Sequence, residues 1–147
     1  MNSQVSIEVD LDSLTYETHI IGNIAFVIDA YAYFPGQGWS DFVAVVLNWW
    51  IPNARALLFA PLHETYSFQF MDGPIRIAAT KVTATGVELT FLEDGHAKTP
   101  MGTVSLEELK DALIKATRQF INAVDRFGWN NEEVETLRHA VKALDAT

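Results

Sequence analysis

Glu8, Asp10 and Asp12 stand in the stretch SIEVDLD, each separated from the next by one aliphatic residue. Side chains of a strand alternate between its faces, so this spacing predicts three carboxylates on one face and Ile7, Val9 and Leu11 on the other. Such a row could hold a hard cation or present a negative field to a basic partner. A calcium site needs a glycine-containing loop that brings further oxygens around the ion, and none surrounds these residues. A field needs uncompensated charge. Residues 1–54 contain six acids and no Lys or Arg, and Asp29 and Asp41 extend the same sign along the chain. A charged terminal strand also keeps a sheet edge from pairing with another chain, which requires no partner.

Other chemistries find less support. His19, His63, His96 and His139 lack ligand spacing, and HETYS at 63–67 lacks the second His of a zinc helix. There is no cysteine, so neither a thiolate metal site nor a thiol nucleophile exists. No G-x-S-x-G elbow or S-x-x-K motif is present, and PGQG lacks the Lys and the strand-to-helix context of a phosphate loop. Pairs of carboxylates could serve a glycosidase, but an acidic chain offers many such pairs by composition alone. The expectation is a protein that is not an enzyme and carries no metal or cofactor.

Aromatic residues are numerous: Trp39, Trp49, Trp50 and Trp129, with Tyr31, Tyr33 and Tyr66 among the tyrosines. Most are expected to build the core. Trp39 lies in FPGQGWSDF, residues 34–42, which reads as an exposed loop framed by two glycines and a proline. An exposed Trp beside Tyr and Asp has the composition of a protein-binding hot spot. The expected partner-binding surface is therefore Glu8, Asp10, Asp12, Asp29, Tyr31, Tyr33, Trp39 and Asp41.

The apolar pattern that must position these residues changes period once. Up to about residue 95 it alternates or runs in short blocks, which predicts strands near 4–12, 23–34, 41–51, 55–60, 65–72, 75–83 and 86–93, some of them merging. Asp72-Gly73 supplies a hairpin turn before Pro74 opens the return strand, and LEDGH at 92–96 reads as a second Asp-Gly turn that ends the sheet. From Ser105 the period is helical. Ser105 and Glu108 form an S-x-x-E capping box, and Leu106, Leu109, Leu113, Ala116, Phe120, Ala123 and Phe127 make one apolar stripe. Gly128 reads as the left-handed C-terminal residue of this helix. Asn130 and Glu133 read as the cap of a second helix, over 131–144, folded back on the first as a hairpin. The fold class is α+β: one domain over 1–147, an antiparallel sheet of about six strands, then two C-terminal helices packed on one face.

Whole-chain properties set the remaining bounds. At 147 residues, 49% hydrophobic and 20% charged, the chain suits one globular domain. Its net charge of −9 repels nucleic-acid phosphates and favours basic proteins or cations. MNSQVSIEVD has neither the basic nor the apolar region of a signal peptide, and FVAVVLNWWI at 42–51 is too short to span a bilayer. With no cysteine, the expected location is cytoplasmic, away from membranes.

FQFMDGPIRI at 68–77, GVELTF at 86–91, and LEELKDALIKATRQFINAVDRFGW with NNEEVETL toward the C-terminus resemble small immunity proteins of bacterial polymorphic-toxin systems. The resemblance covers residues 66–144 and assigns no residue roles. It implies an acidic, cytosolic, single-domain α+β or α/β protein that binds and blocks a cognate toxin. Many such toxins are nucleases with basic surfaces, so an acidic inhibitor gains association rate by steering while it covers the active site. Two other readings stand beside it. One is a small-molecule carrier or enzyme with an aromatic pocket between sheet and helix; the other is an acidic secretion chaperone or structural subunit acting as a dimer.

Overall fold

The computed structural model describes residues 2–94 and 97–147. Its eight strands form two antiparallel four-stranded sheets, with three helices. The first sheet contains β1 (Val5–Tyr16), β2 (Ile20–Ile28), β3 (Ala32–Phe34) and β4 (Ser40–Phe42); both β3 and β4 pair with β2, on the side away from β1. Helix α1 (Val43–Phe59) follows. The second sheet is a meander of β5 (Thr65–Gln69), β6 (Ile75–Lys81), β7 (Gly86–Glu93) and β8 (Ala97–Ser105). Helices α2 (Leu106–Phe127) and α3 (Glu132–Asp145) complete the chain. The α+β class and antiparallel pairing stand, but two sheets replace the single sheet of about six strands.

The main correction is α1, which occupies the segment expected as strands at 41–51 and 55–60. VAVVLNWWI is apolar on every side, so neither period stands out in it, and its valines and tryptophans favour a strand reading. Its buried residues nevertheless follow helical spacing: Val43, Leu47, Trp50, Ala54 and Leu57 recur every four and three positions. Pro52 lies inside the helix on its exposed side. Polar side chains flank the buried face. Asn53 Nδ2 donates to the Ser67 carbonyl (2.7 Å) and Trp50 Nε1 to that of Gln69 (2.7 Å), so α1 covers the outer edge of β5. On its other flank Asn48 Nδ2 donates to the Glu133 carbonyl at the start of α3 (2.9 Å).

Two further differences have local causes. The strand expected over 23–34 is a hairpin, because Asp29 and Ala30 both take positive φ (53° and 66°) and Tyr31 N–H closes the turn on the Ile28 carbonyl (3.2 Å). Such a turn usually contains glycine, and its absence hides the break. The sheet also does not end at LEDGH. β7 continues into pairing with β8, an edge strand that accommodates Pro100 and shifts register between Leu89 and Thr90. Gly95 and His96 of that turn lie outside the described residues.

The C-terminal helices lie close to expectation. Ser105 Oγ accepts from Glu108 N–H (3.2 Å), Gly128 ends α2 at φ 71°, and the cap of α3 is Asn131, one residue beyond the expected Asn130. The capping box is only half closed, since the Glu108 carboxylate leaves Ser105 and accepts from Val5 N–H on β1. Leu109, Leu113 and Phe120 are buried. α2 packs on β1, whereas α3 packs on α1 and α2 as an outer layer. Between the sheets, Phe26 meets Trp50 (5.1 Å between ring centres) and Phe68 (5.7 Å), Trp50 meets Phe70 (5.2 Å), and Phe34 meets Phe91 (5.7 Å).

Candidate functional site

The alternation of β1 and its register on β2 sort the first sheet into two faces. Ile7, Ile24, Phe26, Ile28 and Phe34 turn toward the core. Ser6 and Glu8 of β1, Ala25 and Val27 of β2, and Tyr33 of β3 share the opposite face. Ala25 and Val27 are buried as its floor, while Glu8 is exposed and Tyr33 half-buried. Tyr33 Oη donates to Glu8 Oε2 (3.3 Å), so β1 and β3 are tied across β2. The nearby carboxylate charge raises the Tyr33 hydroxyl above its ordinary pKa, and partial burial and the hydrogen bond add to the effect. Tyr33 thus stays a neutral donor at physiological pH. At one end of the face the Asp29–Ala30 turn presents Tyr31, which is 77% exposed. Asp29 itself is exposed, and its Oδ1 accepts from Gln4 N–H (2.9 Å), fastening the turn to the start of β1.

Asp10 and Asp12 are exposed at the other end, where the row is interrupted. The β1–β2 register breaks between Asp10 and Thr15: Asp10 Oδ1 accepts from Asp12 N–H (3.1 Å), and Ser13 Oγ donates to the Asp10 carbonyl (2.6 Å). Gly22 makes this bulge possible, since a Cβ there would lie 2.6 Å from Leu14 Cδ2. The outer edge of β1 is closed at its beginning by Ser3 N–H on the Thr103 carbonyl (2.8 Å) and by Glu108 on Val5 N–H. Between those closures and the bulge, residues 6–9 line a groove of about 250 Å³ with Ala112, Lys115 and Gln119 of α2.

Trp39 and Asp41 do not belong to this face. Asp41 is 1% exposed, and its carboxylate accepts from Trp39 Nε1 (3.0 Å) and from the N–H groups of Phe42 (2.7 Å), Met71 (3.3 Å) and Asp72 (3.3 Å). The loop expected to be exposed is folded onto the β5–β6 hairpin, with the Trp39 ring half-buried against Phe70 (6.3 Å). The physical reason is the carboxylate itself, which gathers four donors from two loops at the start of α1. The structure brings together Glu8 and Tyr33, places Asp29 and Tyr31 at one end of their face and Asp10 and Asp12 at the other, and removes Trp39 and Asp41 to a structural joint.

Two polar arrangements went unread in the sequence. His19 Nδ1 lies 3.1 Å from Glu133 Oε1, joining the β1–β2 turn to α3 near Asn48. Lys81 is buried, and its ammonium donates to the Leu58 (3.2 Å) and Ala60 (2.8 Å) carbonyls at the end of α1. Both pair residues far apart in the chain, so local spacing carries no trace of them. Among the described residues no group of three His, Asp or Glu side chains converges as a metal site would require, and no helix is long and apolar enough to cross a membrane. An open groove of about 470 Å³ lies at the β5–β6 hairpin, lined by Gln69, Phe70, Arg76 and Asp94 among others. The large aromatics Phe26, Trp50, Phe68 and Phe120 are fully buried against other core residues. Family models, curated proteins and solved structures were all compared with the chain, and none matches.

Proposed function

We propose that this chain is an immunity-type inhibitor that binds a basic toxin domain through the outer face of its first sheet. The observation that carries the reading is the pairing of exposed Glu8 with Tyr33 across β1, β2 and β3, flanked by Asp29 and Tyr31 at one end and Asp10 and Asp12 at the other. No Lys or Arg occurs in residues 1–54, which build this sheet and α1 as far as Ala54. The surface therefore combines a row of acids that has no base within its own sheet, with Lys115 of α2 beside it across the groove at residues 6–9, and tyrosines that supply contact area and a hydroxyl donor. A nuclease-like partner, basic where it holds phosphate, would be steered to it and covered by it.

The deciding experiment is association kinetics with the product of the neighbouring gene, which this reading expects to be the toxin, for the wild type and a Glu8→Gln, Asp10→Asn, Asp12→Asn variant. The amide introduced at position 10 keeps an oxygen for the Asp12 N–H, so the bulge survives while the charge is removed. The variant is expected to associate about tenfold more slowly at low salt and to lose most of its salt dependence. An unchanged low-salt rate would remove these carboxylates from the interface. A second reading draws on the place of β1 at a sheet edge: the charges only guard that edge. Under it the variant self-associates more strongly and its partner kinetics do not change.

A further inference from the structure

The outer edge of β1 is open over a short window, and the hydrogen bonds around it show which backbone groups point outward. Gln4 faces the turn after β2, its carbonyl accepting from Asp29 N–H (2.9 Å). Facing alternates along a strand of an antiparallel pair, so Ser6 and Glu8 turn their main-chain groups toward β2, while Val5, Ile7 and Val9 turn theirs away. Ile24 agrees: it stands opposite Val9 and gives its N–H to the Trp39 carbonyl (3.0 Å), on the side away from β1. Ser3 and Val5 place their outward N–H groups on the Thr103 carbonyl and the Glu108 carboxylate. The outward groups of Ile7 and Val9 have no partner among the described residues. The groove of about 250 Å³ is lined by these same residues and by Ala112, Lys115 and Gln119 of α2.

We infer that this window receives an extended peptide segment, added to the sheet as a strand beside β1, with a Lys or Arg opposite Glu8. The inference rests on the reading of the first sheet as the surface that meets a basic partner, and it names how that surface is engaged. An extended backbone suits two successive outward-facing residues, because its own N–H and C=O groups recur at the same spacing. The Thr103 and Glu108 contacts bound the window at one end and the bulge after Asp10 at the other, so it admits only about three residues of an added strand. Side chains directly opposite each other on neighbouring strands share a face. The middle residue therefore lies beside Glu8 on the outer face, where a base meets a carboxylate. The two flanking residues turn, like Ile7 and Val9, toward the wall of Ala112, Lys115 and Gln119, which suits small side chains and disfavours a second base. A second copy of the chain fits poorly. Its β1 fills the window only with Ile7 against Val9 and Glu8 against Glu8, and like charges directly opposite are destabilising.

Capped peptides test this on the full chain without any toxin: acetyl-Thr-Ala-Lys-Ala-Thr-amide, the same peptide with Glu for Lys, and the Lys peptide N-methylated at both alanines. The methylated peptide keeps the charge but loses the N–H groups that face β1 in the added strand. Each is titrated to about 10 mM, a range that covers weak association, into isotope-labelled protein followed by NMR. The Lys peptide is expected to shift the Ile7 and Val9 amide signals. The Glu peptide is expected to bind at least about tenfold more weakly, and the methylated peptide not at all. Val9→Pro removes one outward donor from an edge strand, where proline is tolerated, and leaves every carboxylate in place. It is expected to abolish binding of the Lys peptide. Gln119→Trp, at an exposed site on α2, narrows the groove and is expected to do the same without touching the sheet. Far-UV circular dichroism checks that both variants stay folded. Ile7 and Val9 signals that do not move, equal binding of the Lys and methylated peptides, or binding indifferent to both variants would each overturn the proposal. If the peptides behave as expected while the neighbouring gene's product does not bind, the strand site stands and only the toxin reading falls.

Discussion

The Asp41 carboxylate collects the Trp39 indole and three backbone N–H groups from two separate loops, and a single side chain thereby holds the entry to α1 against the β5–β6 hairpin. Asp41→Ala leaves those donors without an acceptor in a buried site, which is expected to cost about 2–4 kcal/mol, read by urea unfolding. Asp41 was legible as an acid in the sequence, but its burial was not, because two of its partners, Met71 and Asp72, lie far along the chain. Glu8 shows the opposite case, an exposed residue whose alternation located it correctly. Its charge favours the neutral form of Tyr33, so the hydroxyl is expected to ionise above its ordinary value of 10.0, and Glu8→Gln to bring it back toward that value. Absorbance at alkaline pH reads both. For a group whose folded pKa is raised, the stabilising effect is complete below the ordinary value and is lost as pH rises through the raised one. The Glu8–Tyr33 link should therefore weaken only above about pH 10.

At the scale of elements, the segments with one apolar face and a clear end were legible, and those without were not. α2 has a cap at Ser105, a stripe of helical period and a left-handed glycine after it, and each is found in place except the last member of the stripe, Phe127, which is half exposed. α1 has none of these: Phe42 at its start provides no side-chain cap, no acid stands in its first turn and no base in its last. Its end is held from outside the helix by Lys81, whose ammonium sits on the Leu58 and Ala60 carbonyls. A cation there meets the negative end of the helix dipole and the last unpaired carbonyls together. Lys81→Met preserves the buried stem but loses both, and is expected to lower stability by about 1–2 kcal/mol, measured as a reduced urea midpoint. The same dependence on distant residues explains the unread β2–β3 hairpin and the added β8. The Asp29 turn is fastened by Gln4, and β8 is specified by its pairing with β7 more than by AKTPMGTVS itself.

Across the whole molecule the charge is divided by layer. The first sheet carries acids without Lys or Arg, whereas the α2–α3 hairpin mixes signs and pairs them, Arg118 with Asp145 (2.6 Å) and Arg138 with Asp125 and Glu135. Charges that pair across helices help to hold them, while unpaired charges on an outer sheet face only repel one another over a screening distance of about 8 Å. If Glu8, Asp10 and Asp12 serve binding or edge protection, the fold does not need their charge. Replacing all three by amides changes the net charge from −9 to −6. The expected change in unfolding free energy is within about 0.5 kcal/mol, as for surface substitutions that keep shape. Its sign should favour the variant at low salt, where self-repulsion is strongest, and the difference should shrink in ~1 M salt, where the screening length falls to about 3 Å. Urea unfolding at both salt concentrations measures this. A loss of several kcal/mol would instead make the carboxylates structural, as Asp41 is, and a slower partner association in the same variant would then report a damaged sheet rather than a missing field.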